Sequence, residues 1–195
     1  MKTAAIFFAD GFEEIEALTP VDYLRRAGVN VITVAVTSSQ AENPCIVMGS
    51  HKVPIITDTR MKEYLSKFSQ NLPDCVICPG GSLGAQNLAA SDDLHKHLEK
   101  CHANEKLVAA ICASPAVVLG KTNILKNKKW TCYPDMEGEA KEDYLSGYSD
   151  KAFITDGNLV TSRGAGAAEE FAMELVRILT DEATAKKVHD GTLQR

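Results

Sequence analysis

The sequence predicts a doubly wound α/β sandwich built on a mostly parallel sheet, and three observations predict it. Four short apolar runs, Ala4–Phe8, Val31–Val36, Cys75–Cys78 and Leu107–Ile111, have the length and continuity of strands covered on both faces. Helical patterns lie between them, giving the strand–helix alternation of parallel sheets. The chain has 195 residues, 45% hydrophobic and 24% charged, which suits one globular domain over residues 1–195.

Taken in order, Ala4–Phe8 is the first strand. With Lys2 before it, the stretch faintly resembles an export signal. However, it stops at Asp10, and Glu13, Glu14 and Glu16 stand where small residues would form a cleavage site. Glu13–Ala27 is a helix with Ile15, Leu18, Val21, Tyr23 and Leu24 at near-helical spacing, ended by Gly28. Val31–Val36 is β-branched and apolar. Ile46–Met48 and Val53–Ile56 flank Gly49-Ser50 as a hairpin.

In Cys75–Cys78, positions three apart face opposite sides of a strand. The C-x-x-C therefore reads as two core thiols rather than a zinc knuckle or redox pair. Asp92–His102 is a polar helix on which His95, His97 and His102 read as solvated. Leu107–Ile111 runs into Cys112-Ala113-Ser114-Pro115 and a helical Ala116–Leu119. Ala152–Thr155 and Leu159–Thr161 flank Asp156-Gly157, a strong hairpin signal. Gly164–Leu179 carries Phe171, Leu175, Ile178 and Leu179 on one helical stripe. There is no internal repeat and no low-complexity linker.

Composition excludes several function classes. With 21 Lys+Arg against 26 Asp+Glu the net charge is −5, whereas a phosphate-backbone partner calls for a basic stripe. No apolar run approaches the roughly 20 residues of a membrane helix. The six cysteines come without an export signal, so the reducing cytosol is the expected compartment and free thiols the expected state. None of the five histidines has metal-ligand spacing to a cysteine or acid, so neither metal nor cofactor is expected.

In open α/β sheets the working site lies beyond the carboxyl ends of the strands. That places it at Asp10–Glu16, Pro79–Gly84 and Cys112–Pro115. Cys112, between an apolar strand and a helix, has the placement of an elbow nucleophile, with small neighbours Ala110 and Ala113 permitting a sharp turn. A thiol of pKa near 8.5 is only about 3% ionised at pH 7, and a helix N-terminus would lower that pKa. A buried core thiol is an equal reading of this pattern. Gly80 and Gly81 allow close backbone approach to a ligand, and the Gly81 and Ala113 amides are candidate oxyanion donors. An ordinary strand-to-helix turn is the plainer reading. Glu13 and Glu14 suit the first turn of a helix. Glu16 is left open between that role and a buried, protonated carboxyl.

Five segments together resemble the DJ-1/ThiJ/PfpI superfamily, most closely its DJ-1 branch. They are Gly11-Phe12-Glu13-Glu14-Ile15-Glu16, Pro20-Val21-Asp22-Tyr23-Leu24-Arg25-Arg26-Ala27-Gly28, Pro79-Gly80-Gly81-Ser82-Leu83-Gly84-Ala85-Gln86-Asn87, Ala109-Ala110-Ile111-Cys112-Ala113-Ser114-Pro115 and Thr161-Ser162-Arg163-Gly164-Ala165-Gly166. The resemblance implies a flavodoxin-like three-layer sandwich and a homodimer. It makes Cys112 the elbow cysteine and Glu16 the protonated carboxyl on its sulfur. It also makes the Gly81 and Ala113 amides oxyanion donors, with Gly80, His51, Tyr133, Arg26, Arg163 and Gly164 at the periphery.

Three departures from the family pattern stand out. Tyr133-Pro134 replaces a histidine–proline pair, so no imidazole base is available there and Glu16 carries more of the proton transfer. His51 stands where an arginine often contributes to an anion site. Ala113 replaces the histidine of the protease-like branch, which removes a Cys-His hydrolase mechanism.

The activity the resemblance implies is cofactor-independent conversion of small dicarbonyls, or of glycated substrates, at Cys112. A redox sensor or chaperone-like protective protein, working through a Cys112 sulfinate, is the alternative. A role in thiazole monophosphate biosynthesis rests on the historical family name alone, since the chain has no phosphate loop.

Overall fold

The structure, a computed structural model, describes residues 1–36 and 45–194. In chain order the strands are β1 (Thr3–Phe8), β2 (Asn30–Ala35), β3 (Ile46–Met48), β4 (Pro54–Ile56), β5 (Thr59–Arg60), β6 (Cys75–Cys78), β7 (Leu107–Ile111), β8 (Phe153–Asp156) and β9 (Leu159–Ser162). The helices are α1 (Glu14–Arg26), α2 (Met61–Phe68), α3 (Ser82–Ala89), α4 (Asp92–Ala103), α5 (Ser114–Val117), α6 (Ala168–Leu179) and α7 (Glu182–Thr192).

Among the described residues, seven strands form one sheet in the order β5-β2-β1-β6-β7-β9-β8. All pairs are parallel except β8–β9, the expected Asp-Gly hairpin. The other hairpin, β3–β4, is a separate antiparallel ribbon.

Side-chain alternation along the strands divides the core into two layers. Phe7, Cys78, Val108 and Ala110 pack with Leu88, Leu94, Leu98 and Trp130 on one face. Ile6, Phe8, Cys75, Ile77, Ala109 and Ile111 pack with Leu24, Phe171 and Leu175 on the other. Cys75 and Cys78 thus lie on opposite faces, both fully buried, as their spacing requires.

Two expectations are corrected. The α4 histidines are not solvated: His95 and His102 are half-buried with their Nε2 atoms shielded, and His97 turns inward, 4% exposed, with its Nε2 2.9 Å from the Tyr64 hydroxyl. A polar helix hides one such residue when a buried phenol supplies its hydrogen bond. On α1, Ile15 and Leu18 face outward while Ala17, Pro20, Val21 and Leu24 face the sheet.

The strand order reverses at β1, with β2 on one side and β6 on the other. Loops leave the carboxyl ends of β1 and β6 in opposite directions there and open a crevice. The segments Asp10–Glu16, Pro79–Gly81 and Cys112–Ser114 meet in it.

Candidate active site

Cys112 follows β7 directly and has φ +65°, in the left-handed region that a residue with a β-carbon rarely adopts. Two backbone hydrogen bonds hold it there. Its amide donates to the Ser162 carbonyl at 2.9 Å, and its carbonyl accepts from the Tyr133 amide at 2.8 Å. The kink lifts the thiol off the strand's alternation, leaving it partly exposed above a fully buried β7.

Glu16 approaches from the first turn of α1 and is 1% exposed. One carboxylate oxygen accepts the Gly80 amide at 3.0 Å, and the carboxyl shares a hydrogen bond with the Cys112 thiol. Gly80 is where the two side chains meet. A β-carbon there would overlap both the Cys112 Cβ and the Glu16 Oε2.

Gly81 has φ +88°, and a β-carbon on it would strike the Gly11 carbonyl. Its amide and that of Ala113 both donate to the Cys112 sulfur. The buried Ser114 hydroxyl donates to the Pro79 carbonyl at 2.5 Å and ties the glycine loop to the elbow.

Burial is the main force on the Glu16 carboxyl. Hydrogen bonds from Cys112 and Gly80 oppose it and the Glu13 charge adds to it, leaving a pKa of about 7. Burial, followed by the charge of Glu16, pushes the Cys112 thiol up to about 12, against the pull of the Gly81 and Ala113 amides. This corrects the expected low thiol pKa. The helix after the elbow is one turn of four residues, Ser114–Val117, so it brings little dipole, and the adjacent carboxylate resists a second negative charge. As pH rises through about 7 the pair goes from uncharged to one negative charge, and the position of the remaining proton decides which member carries it. With that proton on Glu16, two amides face a thiolate and the repulsion is gone.

The periphery divides. Gly164 leaves room for Tyr133, whose ring lies 3.5 Å from where a β-carbon would stand, with Glu16 Oε1 at 3.9 Å. Tyr133 is half exposed beside the site. Arg163 is adjacent in sequence, but its guanidinium donates to the Asp150 carbonyl at 3.2 Å. Arg26 is not at the site within this chain. It lies about 15 Å farther along α1, at about 1.5 Å per residue, paired with Asp22 at 2.6 Å.

His51 is held by acids rather than offered to an anion. Its Nδ1 lies 2.9 Å from Glu14 Oε2 and 3.5 Å from Glu13 Oε2. The ligand atoms of Glu13, Glu14 and His51 all fall within 4.8 Å of one another, a set that sequence spacing does not reveal because hairpin and helix are far apart in the chain. Ser114 was also missed, since a serine after an elbow cysteine carries no pattern of its own.

The model of the DJ-1/PfpI family matches residues 2–178. Protein dj-1beta of Drosophila melanogaster is 35% identical over 193 residues, spanning 98% of this chain and 97% of that protein. The glutathione-independent glyoxalase DJ-1 of Schizosaccharomyces pombe is 30% identical over 179 residues, 90% of each chain. Among solved structures, oxidized Toxoplasma gondii DJ-1 superposes with a TM-score of 0.88 at 31% identity, covering 99% of this chain and 98% of the other.

Proposed function

The chain belongs to the DJ-1/PfpI family, and from that premise we propose that it is a cofactor-independent glyoxalase-type enzyme acting on small dicarbonyls through Cys112 and Glu16. The observation that carries this reading is the shared hydrogen bond of Glu16 and Cys112 over Gly80, with the Gly81 and Ala113 amides on the sulfur. The named glyoxalase activity of the Schizosaccharomyces pombe relative supports it.

In the proposed sequence the Cys112 sulfur attacks the aldehyde carbon of methylglyoxal, and its proton passes to Glu16. A C–S bond forms, and the carbonyl π electrons move to oxygen, held by the Gly81 and Ala113 amides and then protonated from Glu16. The Glu16 carboxylate removes the hydrogen on that carbon as a proton, giving an enediolate. The proton returns to the neighbouring carbon and the hydroxyl proton moves from the first oxygen to the second, so the neighbouring carbon becomes the alcohol and the first carbon a thioester. Water cleaves the thioester, releasing lactate and restoring the thiol. One carbon is oxidised and its neighbour reduced, so no outside oxidant enters. Tyr133 offers no imidazole, and turnover is slow. Lactate formed from methylglyoxal by wild type, Cys112→Ala and Glu16→Gln tests the reading, and equal rates in all three would sink it.

A second reading is protective oxidation of Cys112. Cys75, Cys78, Cys101 and Cys132 are buried while Cys45 and Cys112 are partly open, and of these two Cys112 has beside it Glu16, which when protonated can donate to a sulfinate oxygen. Intact-mass analysis under graded peroxide, with Cys112→Ala as reference, tests it. The homodimer belongs to the same proposal, supported by the outward Ile15 and Leu18 of α1 and the exposed Val53. So does a cytoplasmic location. Among the described residues no helix is long and apolar enough to cross a membrane.

A further inference from the structure

Outside the cysteine site, the start of α1 and the turn between β3 and β4 bring four donor atoms together. They are Glu13 Oε2, Glu14 Oε2, Ser50 Oγ and His51 Nδ1. Ser50 Oγ lies 3.1 Å from Glu13 Oε2, 3.0 Å from Glu14 Oε2 and 3.0 Å from His51 Nδ1. His51 Nδ1 lies 2.9 and 3.5 Å from the two carboxylate oxygens. A tetrahedral zinc ion with bonds of about 2.0 Å has ligand–ligand edges of about 3.3 Å. Five of the six edges of the cluster run from 2.9 to 3.5 Å, and the Glu13, Glu14 and His51 ligand atoms all lie within 4.8 Å of one another.

The two carboxylates share one hydroxyl and one imidazole. With the ring nitrogen unprotonated, the single Ser50 hydroxyl proton faces three acceptors. Among the described residues, no lysine or arginine pairs with either carboxylate, and His51 is their single ion-pair partner.

The set is also built to stay in place without its ring–carboxylate contacts. Glu14 is 9% exposed, and one of its oxygens accepts the His51 amide at 2.7 Å. Gly49 leaves the space that this carboxylate fills. The Glu13 amide donates to the Gly80 carbonyl at 3.0 Å. The Glu14 carboxylate is thus held by the His51 amide as well as by the ring, and the Glu13 backbone is fixed independently of its carboxylate. The His51 side chain is 71% exposed, which provides an entry path.

We propose that Glu13, Glu14 and His51 form a binding site for a borderline divalent cation of the zinc type, with Ser50 or water in the fourth position. Mixed imidazole and carboxylate donors suit zinc, whereas magnesium and calcium favour six or more oxygens. The site is separate from Cys112, and its test does not depend on turnover.

The test is calorimetric titration of the full chain with zinc chloride, against magnesium chloride, in wild type, Cys112→Ala, His51→Ala and Glu13→Gln. Thermal unfolding checks that each variant is folded. The expected result is one zinc ion per chain in wild type and Cys112→Ala, no magnesium binding, and affinity at least tenfold weaker in His51→Ala and Glu13→Gln. Undiminished binding in His51→Ala, loss of binding in Cys112→Ala, or no zinc binding by the wild type would each overturn the proposal.

Discussion

Glu16 and Cys112 come from opposite sides of the β1–β6 crevice and meet over the α-carbon of Gly80, sharing one hydrogen bond. The contact ties the acidity of each group to the charge of the other. The carboxylate raises the thiol pKa, while a protonated carboxyl would leave the sulfur with three donors and no repulsion. Reactivity at Cys112 is therefore set by a proton held on α1 rather than by the helix that follows the elbow.

Replacing Glu16 by Gln separates these effects. The amide keeps a donor beside the sulfur but carries no charge, so the thiol pKa falls from about 12. The same change removes the group that moves protons, a role worth about 100- to 10,000-fold. The expected outcome is faster alkylation of Cys112 by iodoacetamide at neutral pH together with loss of lactate formation. Slower alkylation would mean that hydrogen bonding, not charge, dominates the pair.

The same carboxyl makes stability depend on pH. Its pKa is raised from 4.5 to about 7 in the fold, so its stabilising contribution is fully present below about 4.5 and is lost as pH rises through about 7. The change is about 3 kcal/mol at about 1.4 kcal/mol per pKa unit. Glu14 acts in another window. Burial would raise its carboxyl, but hydrogen bonds from the His51 ring, its own amide, the His51 amide and Ser50 bring it to about 2. Its contribution is lost only as pH falls from about 4.5 through about 2. Denaturant unfolding of wild type and Glu16→Gln between pH 5 and about 8 should give a falling curve for the first and a flatter one for the second.

Much of this was legible in the sequence because it rests on local pattern. The four apolar runs became β1, β2, β6 and β7, and both turn signals became hairpins. The two-residue strand β5 and helices α2, α3 and α7 were not anticipated: α3 and α7 have a weak apolar period, and α2 is amphipathic but only eight residues long. At the site, Cys112 and the glycine pair were marked by their place at strand ends. Spacing assigned Glu13 and Glu14 to the helix start and left Glu16 open, because the face of α1 that meets the Gly80 loop is a tertiary fact. The direction of the thiol pKa was misread for a related reason: burial and a facing carboxylate are tertiary facts. Arg26 looked like a site residue through its family segment, yet within this chain α1 carries it away from the crevice.

Tyr133 gives a test of the missing base. Its amide fixes the Cys112 carbonyl, so the backbone contact survives substitution, and its ring lies over Gly164 near Glu16. Tyr133→His would place an imidazole with an ordinary pKa of about 6.5 beside the site. Turnover of methylglyoxal should rise about tenfold, with a second ionisation near 6 to 7 added to that of Glu16. An unchanged rate and pH profile would show that Glu16 alone suffices for proton transfer.

The backbone of Cys112 supplies the last prediction. At φ +65° a residue with a β-carbon is held in a region that costs about 1–2 kcal/mol relative to glycine. Cys112→Ala removes the thiol and keeps the strain, whereas Cys112→Gly removes both. Both variants lose the nucleophile and both lose its contact with Glu16, so the difference between them isolates the backbone. The glycine variant should be the more stable by about 1 kcal/mol in denaturant unfolding, although it offers less side chain to pack. That excess would mean the fold holds the nucleophile in a costly conformation, and the Ser162 and Tyr133 hydrogen bonds to its backbone are what keep it there. An alanine variant equal to or more stable than the glycine variant would show that the elbow is relaxed and that no such cost exists.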